Sequence, residues 1–424
     1  MSKQLNIPKE EGLDHSLALI QEGYQYITSR RTKFKSDLFE TRLLGQKVVC
    51  IGGQEGAELF YDNEKFERKG AVPKRIQKSL FGENAIHTLD GEAHEHRKLL
   101  FMSLMTEERL ELLAELTREE WRLAAAEWAK MEQVVLFDEV QQILCRVACR
   151  WAGVPIDAIE VKPLARDFIA MVDAFGAVGP RHQKGRKARK KMEDYFKGLI
   201  IEIRHRRIEP IEGTALHKIA WHRDHKEKHL DEHTAAVELL NVLRPIVAIT
   251  YLVTFGALAL FEHNVWKEKL QSGDEESVQM FAQEVRRFYP FAPFLGAKVK
   301  NGFEWKGHTF EKGQLVLLDV YGTNHDNRLW EEPYVFNPER FRNWNGGMFD
   351  LIPQGGGDEY TGHRCPGEMA TIQVMKTSFS FLTNEMIYNV PVGQDLSYSL
   401  SRMPTYPESG FIIQGVSIKS QTTV

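Results

Sequence analysis

The sequence predicts a mainly α fold, a single helical domain over residues 1–424 with small β-sheets. Three observations carry this. Apolar residues recur at three- and four-residue spacing through most of the chain, strand-like segments are few and short, and neither an internal repeat nor a Pro/Ser-rich linker divides it. The 42% hydrophobic and 27% charged fractions supply a large core and exclude a disordered, collagen-like or disulfide-scaffold chain. With 55 basic and 59 acidic residues the formal charge is -4, which argues against a dominant nucleic-acid-binding surface.

Taken in order, residues 1–11 contain no apolar core of a leader peptide. Residues 47–51, ahead of Gly52 and Gly53, read as a strand. Helical period marks 107–131, 138–151, 161–175 and 278–289. The apolar run 246–261 falls short of the ~20 residues of a membrane span and reads as the buried part of a helix over 234–261. Residues 297–300 and 303–305 read as a hairpin, and 315–318 as another strand. From Tyr321 to Gly367 periodicity fades into Asn, Asp, Pro and Gly, and a loop that long is usually functional. Cys50, Cys145, Cys149 and Cys365 are too scattered for a disulfide framework, which points to a reducing, cytoplasmic compartment.

The end of that loop, Pro353-Gln354-Gly355-Gly356-Gly357 followed by Gly362-His363-Arg364-Cys365-Pro366-Gly367-Glu368, leads into a helical pattern. Cys365 therefore stands just ahead of a helix N-terminus, where backbone N–H groups and the neighbouring Arg364 favour a thiolate. The glycines let backbone approach a large flat ligand. A thiolate so placed is what an axial haem ligand requires, whereas a lone cysteine elsewhere would read as a buried structural thiol.

Two upstream segments complete a pattern. Glu284 and Arg287 share a helix face, and Pro338-Glu339-Arg340-Phe341 follows about fifty residues later. The order E-x-x-R, P-x-R-F, C-x-G resembles the cytochrome P-450 (haem-thiolate) family over essentially the whole chain. The resemblance implies haem b as cofactor with Cys365 on its iron, and Glu284, Arg287 and Arg340 as a structural ion network. One departure is that Asp358 stands where the family loop carries a Phe, seven positions ahead of the cysteine.

A second departure lies in the long apolar helix. Ordinary oxygen-activating members carry an acid–alcohol pair there; this sequence has Leu243-Arg244-Pro245-Ile246. Pro245 removes a backbone N–H and predicts a kink. A buried arginine needs an anion, supplied either by a protein acid or by a substrate carboxylate held bidentately. Arg-Pro at this place resembles the fatty-acid peroxygenase branch of the family, as do residues 101–106 and 286–291 and the Gly355-Gly356-Gly357 run. That branch implies oxidation of long-chain fatty acids at the α or β carbon, driven by hydrogen peroxide without a redox partner, with the carboxylate on Arg244 serving as acid–base. By the same resemblance His87 faces the reacting carbons and directs part of the turnover to decarboxylation and terminal alkenes, while Arg68, His94 and Arg97, with Lys74 behind them, hold the haem propionates. Leu80, Phe81, Val172, Phe291 and Phe294 are implied pocket walls.

Other clusters read as bland. His217, His222, His225, His229 and His233 lie among Lys, Asp and Glu in a solvated stretch, Cys145 and Cys149 share a helix face as buried thiols, and the basic run 184–191 is a solvated helix face. Alternative functions are a reductase-dependent monooxygenase of a carboxylic acid, a non-catalytic haem-thiolate fatty-acid-binding protein, and a zinc hydrolase built on the histidines.

Overall fold

A computed structural model describes residues 7–155 and 161–419; residues 1–6, within the stretch read for a leader, lie outside the described residues. Each predicted helix forms where its period and caps place it. Helices that position the site are α1 (Gly91–Met102), α2 (Glu107–Trp128), α3 (Leu136–Ala152), α4 (Val161–Asp173), α5 (Pro180–Arg204), α6 (Glu232–Ala248), α7 (Thr250–Glu262), α8 (Glu275–Phe288) and α9 (Glu368–Ser380). Thr106 caps α2 by accepting from the Arg109 N–H, with Glu107 and Glu108 in the first turn. Asp231 caps α6 and Asp274 caps α8 in the same way. Gly153, at φ +75°, ends α3 in the left-handed conformation.

The α6 and α7 pair is the central rod. It is the only helical run among the described residues long and apolar enough to cross a membrane, and almost all of it is buried inside the protein. Its burial on every face is that of a core helix. α3 and α5 pack against α6, and α2 and α8 pack against α9. Pro245 lies inside α6, but the helical ladder breaks one turn later, at Ile249. There the Ile249 N–H bonds to Ile246 O at 3.2 Å, and Thr250 Oγ1 donates to Val247 O at 2.7 Å. Pro245 leaves Asn241 O without its helical donor, and the break in the ladder falls four residues on, at Ile249, rather than at the proline itself.

A five-stranded sheet has the order β1 (Leu38–Leu43), β2 (Gln46–Ile51), β8 (Leu315–Asp319), β5 (Phe294–Val299), β3 (Phe66–Glu67). β2 and β8 run parallel, pairing Val48 with Leu315, and the other neighbours are antiparallel. A three-stranded sheet orders β4 (Gln133–Val135), β10 (Ile412–Ile418) and β9 (Met386–Asn389). The expected hairpin of 297–300 with 303–305 is not formed. Residues 297–299 belong to β5 in the large sheet, and β6 (Phe303–Trp305) pairs instead with β7 (His308–Phe310). The main hydrophobic core lies among the helices, from Trp121, Trp128 and Trp151 through Leu239 and Phe255 to Phe379.

Candidate active site

The Cys365 loop is built before its chemistry. Gly355 adopts φ +93°, and a Cβ there would meet Tyr61 Oη at 2.7 Å, so the position needs glycine both for its backbone and for its space. The Cys365 N–H donates to Gln354 O at 3.0 Å. Gln354 in turn is held by Arg286, whose Nε donates to its Oε1 at 3.1 Å, and donates to Thr371 Oγ1 at 2.9 Å. Arg286 also pairs with Glu368 at the start of α9, where Arg364 adds a second bridge at 2.7 Å. From α1, Lys98 donates to Gly362 O at 3.0 Å and to Arg364 O. Burial pushes the Cys365 thiol above its ordinary pKa, and the Gly367 N–H, Lys98 and Arg286 offset this only in part. The helix-start N–H and the two cations thus favour the thiolate, as the sequence implies, against the opposing cost of desolvation.

Across the site, α6 presents Arg244. Its side chain is buried, with Nε unpartnered and no acidic residue in ion-pair contact among the described residues. Its Nη2 reaches Asn241 Oδ1 at 3.4 Å, and its guanidinium carbon lies 5.7 Å from the Phe81 ring. Burial and then Arg189 lower its pKa to about 9, while Cys365 raises it, so it is charged at neutral pH and senses the sulfur. His87 stacks 4.4 Å from Phe81 with Nδ1 buried and unpartnered. Burial first, then Arg244 and Arg189, hold its pKa well below the ordinary value, which keeps the imidazole neutral.

A third side carries basic side chains. Arg68 is buried over the Phe60 ring at 4.4 Å with Nη1 unpartnered, and burial lowers its pKa to about 10. His94 stacks on His363 at 3.9 Å, and His363 approaches Asp90 at 3.5 Å. Arg97 is engaged by Glu238, and Lys74 forms an exposed pair with Glu83 at 2.9 Å. These groups fit a haem: a partly exposed thiol ahead of a helix, glycines that leave room, and an orphaned Arg68 donor where an anionic edge would lie.

Leu80, Phe81, Val172 and Phe291 gather in one apolar cluster with Phe137, Ala248 and Tyr251. Phe294, the fifth implied wall, belongs to neighbouring clusters and reaches this one through Phe175, 6.3 Å away. Glu284 accepts from Arg287 Nε at 2.7 Å and Nη2 at 2.8 Å, from Arg340 Nε at 3.3 Å and from the Asn337 N–H at 2.8 Å. Sequence reasoning missed Glu238, Asn241, Arg286, Gln354, Lys98 and His363. The basic run on α5 is exposed except for Arg189, which turns inward to bond Glu193 and Leu80 O. The described residues contain no group of three metal-ligating side chains, so the histidines build no zinc site.

The cytochrome P450 family model matches residues 276–384. Cytochrome P450EX alpha (CYP152N1), solved with myristic acid, is 46% identical, covers 97% of this chain and 99% of its own, and superposes with a TM-score of 0.94. A single-residue variant of cytochrome P450 OleT in complex with arachidonic acid is 41% identical over 98% of this chain and 100% of its own, with a TM-score of 0.95. More distantly, beta-amyrin 28-monooxygenase of Vitis vinifera is 23% identical over 85% of this chain and 81% of its own length. With the Cys365 loop, the Arg244 helix and relatives of this similarity in hand, the chain belongs to the cytochrome P450 family, in its CYP152 fatty-acid peroxygenase branch.

Proposed function

We propose that this protein uses hydrogen peroxide to oxidise long-chain fatty acids at the α and β carbons, by hydroxylation together with decarboxylation to terminal alkenes. The observation that carries the reading is Arg244: a buried cation, without an acidic protein partner among the described residues, across the site from Cys365. A charge so placed is costly until an anion arrives, and a carboxylate is the anion its planar fork matches. Fatty-acid ligands in the related structures support this choice.

Cys365 would hold the haem iron, and Arg68, His94 and Arg97 would face the propionates. When bound, the haem supplies oxidising power from peroxide, and a thiolate ligand favours cleavage of the O–O bond. The chain's own residues do the rest. Arg244 pins the substrate carboxyl, so the α and β carbons lie nearest the reacting centre. The pinned carboxylate moves a proton between the two peroxide oxygens, a task for which α6 offers Arg244-Pro245 in place of an acid–alcohol pair. Leu80, Phe81, Val172 and Phe291 exclude water along the alkyl chain. His87, neutral and with an unpartnered ring nitrogen, would donate a proton on the reacting side of the pocket, slow delivery of the hydroxyl to the substrate and so divert part of the turnover to the alkene.

The test is product analysis of the purified, haem-loaded protein with a long-chain saturated fatty acid and hydrogen peroxide alone. Hydroxy acids and alkenes should form, and Arg244→Ala should lose both with haem content intact. Turnover that required a reductase, or binding without product, would replace this reading by one of the alternatives.

A further inference from the structure

Three buried side chains follow one another at i, i+3 steps along α6: Glu238, Asn241 and Arg244. Glu238 is fully buried and accepts from three elements. Arg97 on α1 pairs with its carboxylate, the Ile86 N–H donates to it at 2.9 Å, and Asn241 Nδ2 donates to it at 3.2 Å. Asn241 Nδ2 also donates to Phe81 O at 3.0 Å. Carboxylate and carbonyl oxygens accept only, so these two partners fix which way the amide points, and its Oδ1 is left facing Arg244 at 3.4 Å. Ile86 and Phe81 flank or precede His87 in the chain, so the same carboxylate anchors the segment that carries the imidazole.

We propose that Glu238 is the positioning residue of the carboxylate-binding site, orienting Arg244 through the Asn241 amide and His87 through the Ile86 backbone. The inference rests on the reading of Arg244 as the fatty-acid anchor. It explains a feature of the electrostatics that this reading leaves open. Arg97, Arg189 and Arg244 lie within electrostatic reach of one another or of Glu238, yet the acid does not neutralise Arg244. Asn241 stands between them. A neutral amide steadies the guanidinium without claiming its charge, and the long 3.4 Å contact leaves the fork available to an incoming carboxylate. Glu238 thus meets the charge of Arg97 while leaving that of Arg244 unmet. An apolar residue at 241 would let the guanidinium wander, and an acid there would compete with the substrate.

The experiment titrates haem-loaded Glu238→Gln with myristic acid and, separately, with the alcohol of the same chain length, following the haem absorption band. Glutamine preserves shape but can donate as well as accept, so the Asn241 amide loses its enforced orientation. Myristic acid should bind at least ~10-fold more weakly, a loss of about 1.4 kcal/mol, while the alcohol, which does not need the guanidinium, binds as before. Equal weakening of both ligands means a merely structural role and overturns the proposal, as does unchanged binding of the acid. Where Glu238→Gln fails to take up haem, Asn241→Leu, which removes the relay along with its bond to Phe81 O, must give the same split between acid and alcohol; an unchanged acid affinity, or equal weakening of both ligands, there overturns it. The wild-type titration separates the two claims: failure to bind myristic acid removes the fatty-acid reading and this inference with it, whereas normal wild-type binding with an unselective variant removes the inference alone.

Discussion

The side-chain amide of Gln354 stands 4.0 Å from Cys365 Sγ, close enough for a weak N–H···S hydrogen bond. Its orientation is not free, because Arg286 donates to the amide oxygen and Thr371 accepts from the amide nitrogen. A donor directed at a sulfur ligand withdraws negative charge from it. Gln354→Leu should therefore make the iron harder to reduce, shifting the haem-loaded protein's potential down by about 20–60 mV, the equivalent of one net hydrogen bond. A redox titration that finds no shift, or an upward one, removes Gln354 from the control of the ligand.

Glu284 is the shared acceptor of two guanidinium groups in a site closed to solvent. Glu284→Gln leaves Arg287 and Arg340 without their counter-ion, and the loss of one partner from a buried pair costs about 3–5 kcal/mol. Denaturant unfolding should show a midpoint lowered to match, accompanied by poorer haem retention. A midpoint within the error of wild type would contradict this accounting.

His87→Gln keeps a hydrogen-bonding side chain of similar reach but removes the imidazole. The alkene share of the products should fall several-fold, with total turnover less affected. If the ratio of alkene to hydroxy acid stays put, His87 has no part in the partition.

Acid sensitivity should trace to the N-terminal ion network. Although burial raises the pKa of Asp37, hydrogen bonds from Arg328 and Arg31 outweigh it and bring the value down to about 2. A carboxylate with a depressed folded pKa stabilises the fold above its unfolded value near 4, and that contribution is lost as pH falls from about 4 through about 2. Because Asp37 is partly open to solvent, the contribution at neutral pH is discounted to on the order of 1 kcal/mol. Asp37→Asn should lower stability by that amount at pH 7 and by progressively less toward pH 2. Parallel stability profiles for the two proteins across that window would count against it.

What the sequence made legible was what is local. Cys365, the Glu284 and Arg287 pair and Pro338 to Phe341 are each defined within a few residues of spacing, and the helices from 107 to 151 announce themselves by period. Partnership across the chain was not legible. The alternation at Phe303–Trp305 marks a strand but does not name its neighbour, so the wrong hairpin was expected. Glu238 reads in sequence as a lone acid in an apolar helix, because its partner Arg97 lies 141 positions away. For the same reason the sequence does not show that Arg97 also serves a carboxylate of the protein. Gln354 gave no signal beside three glycines, since its contacts come from Arg286 and Thr371 on other helices.

The parallel pairing of β2 with β8 has a consequence for biogenesis. Val48 to Ile51 emerge early from the ribosome, yet one edge of that strand waits for Leu315 to Leu318, and Arg31 waits for Asp319, 288 positions downstream. Until nearly three-quarters of the polypeptide has been translated, an apolar strand keeps an open edge, which is an aggregation hazard. Slow translation or truncation upstream of Leu315 should therefore lead to inclusion bodies, with no soluble N-terminal fragment.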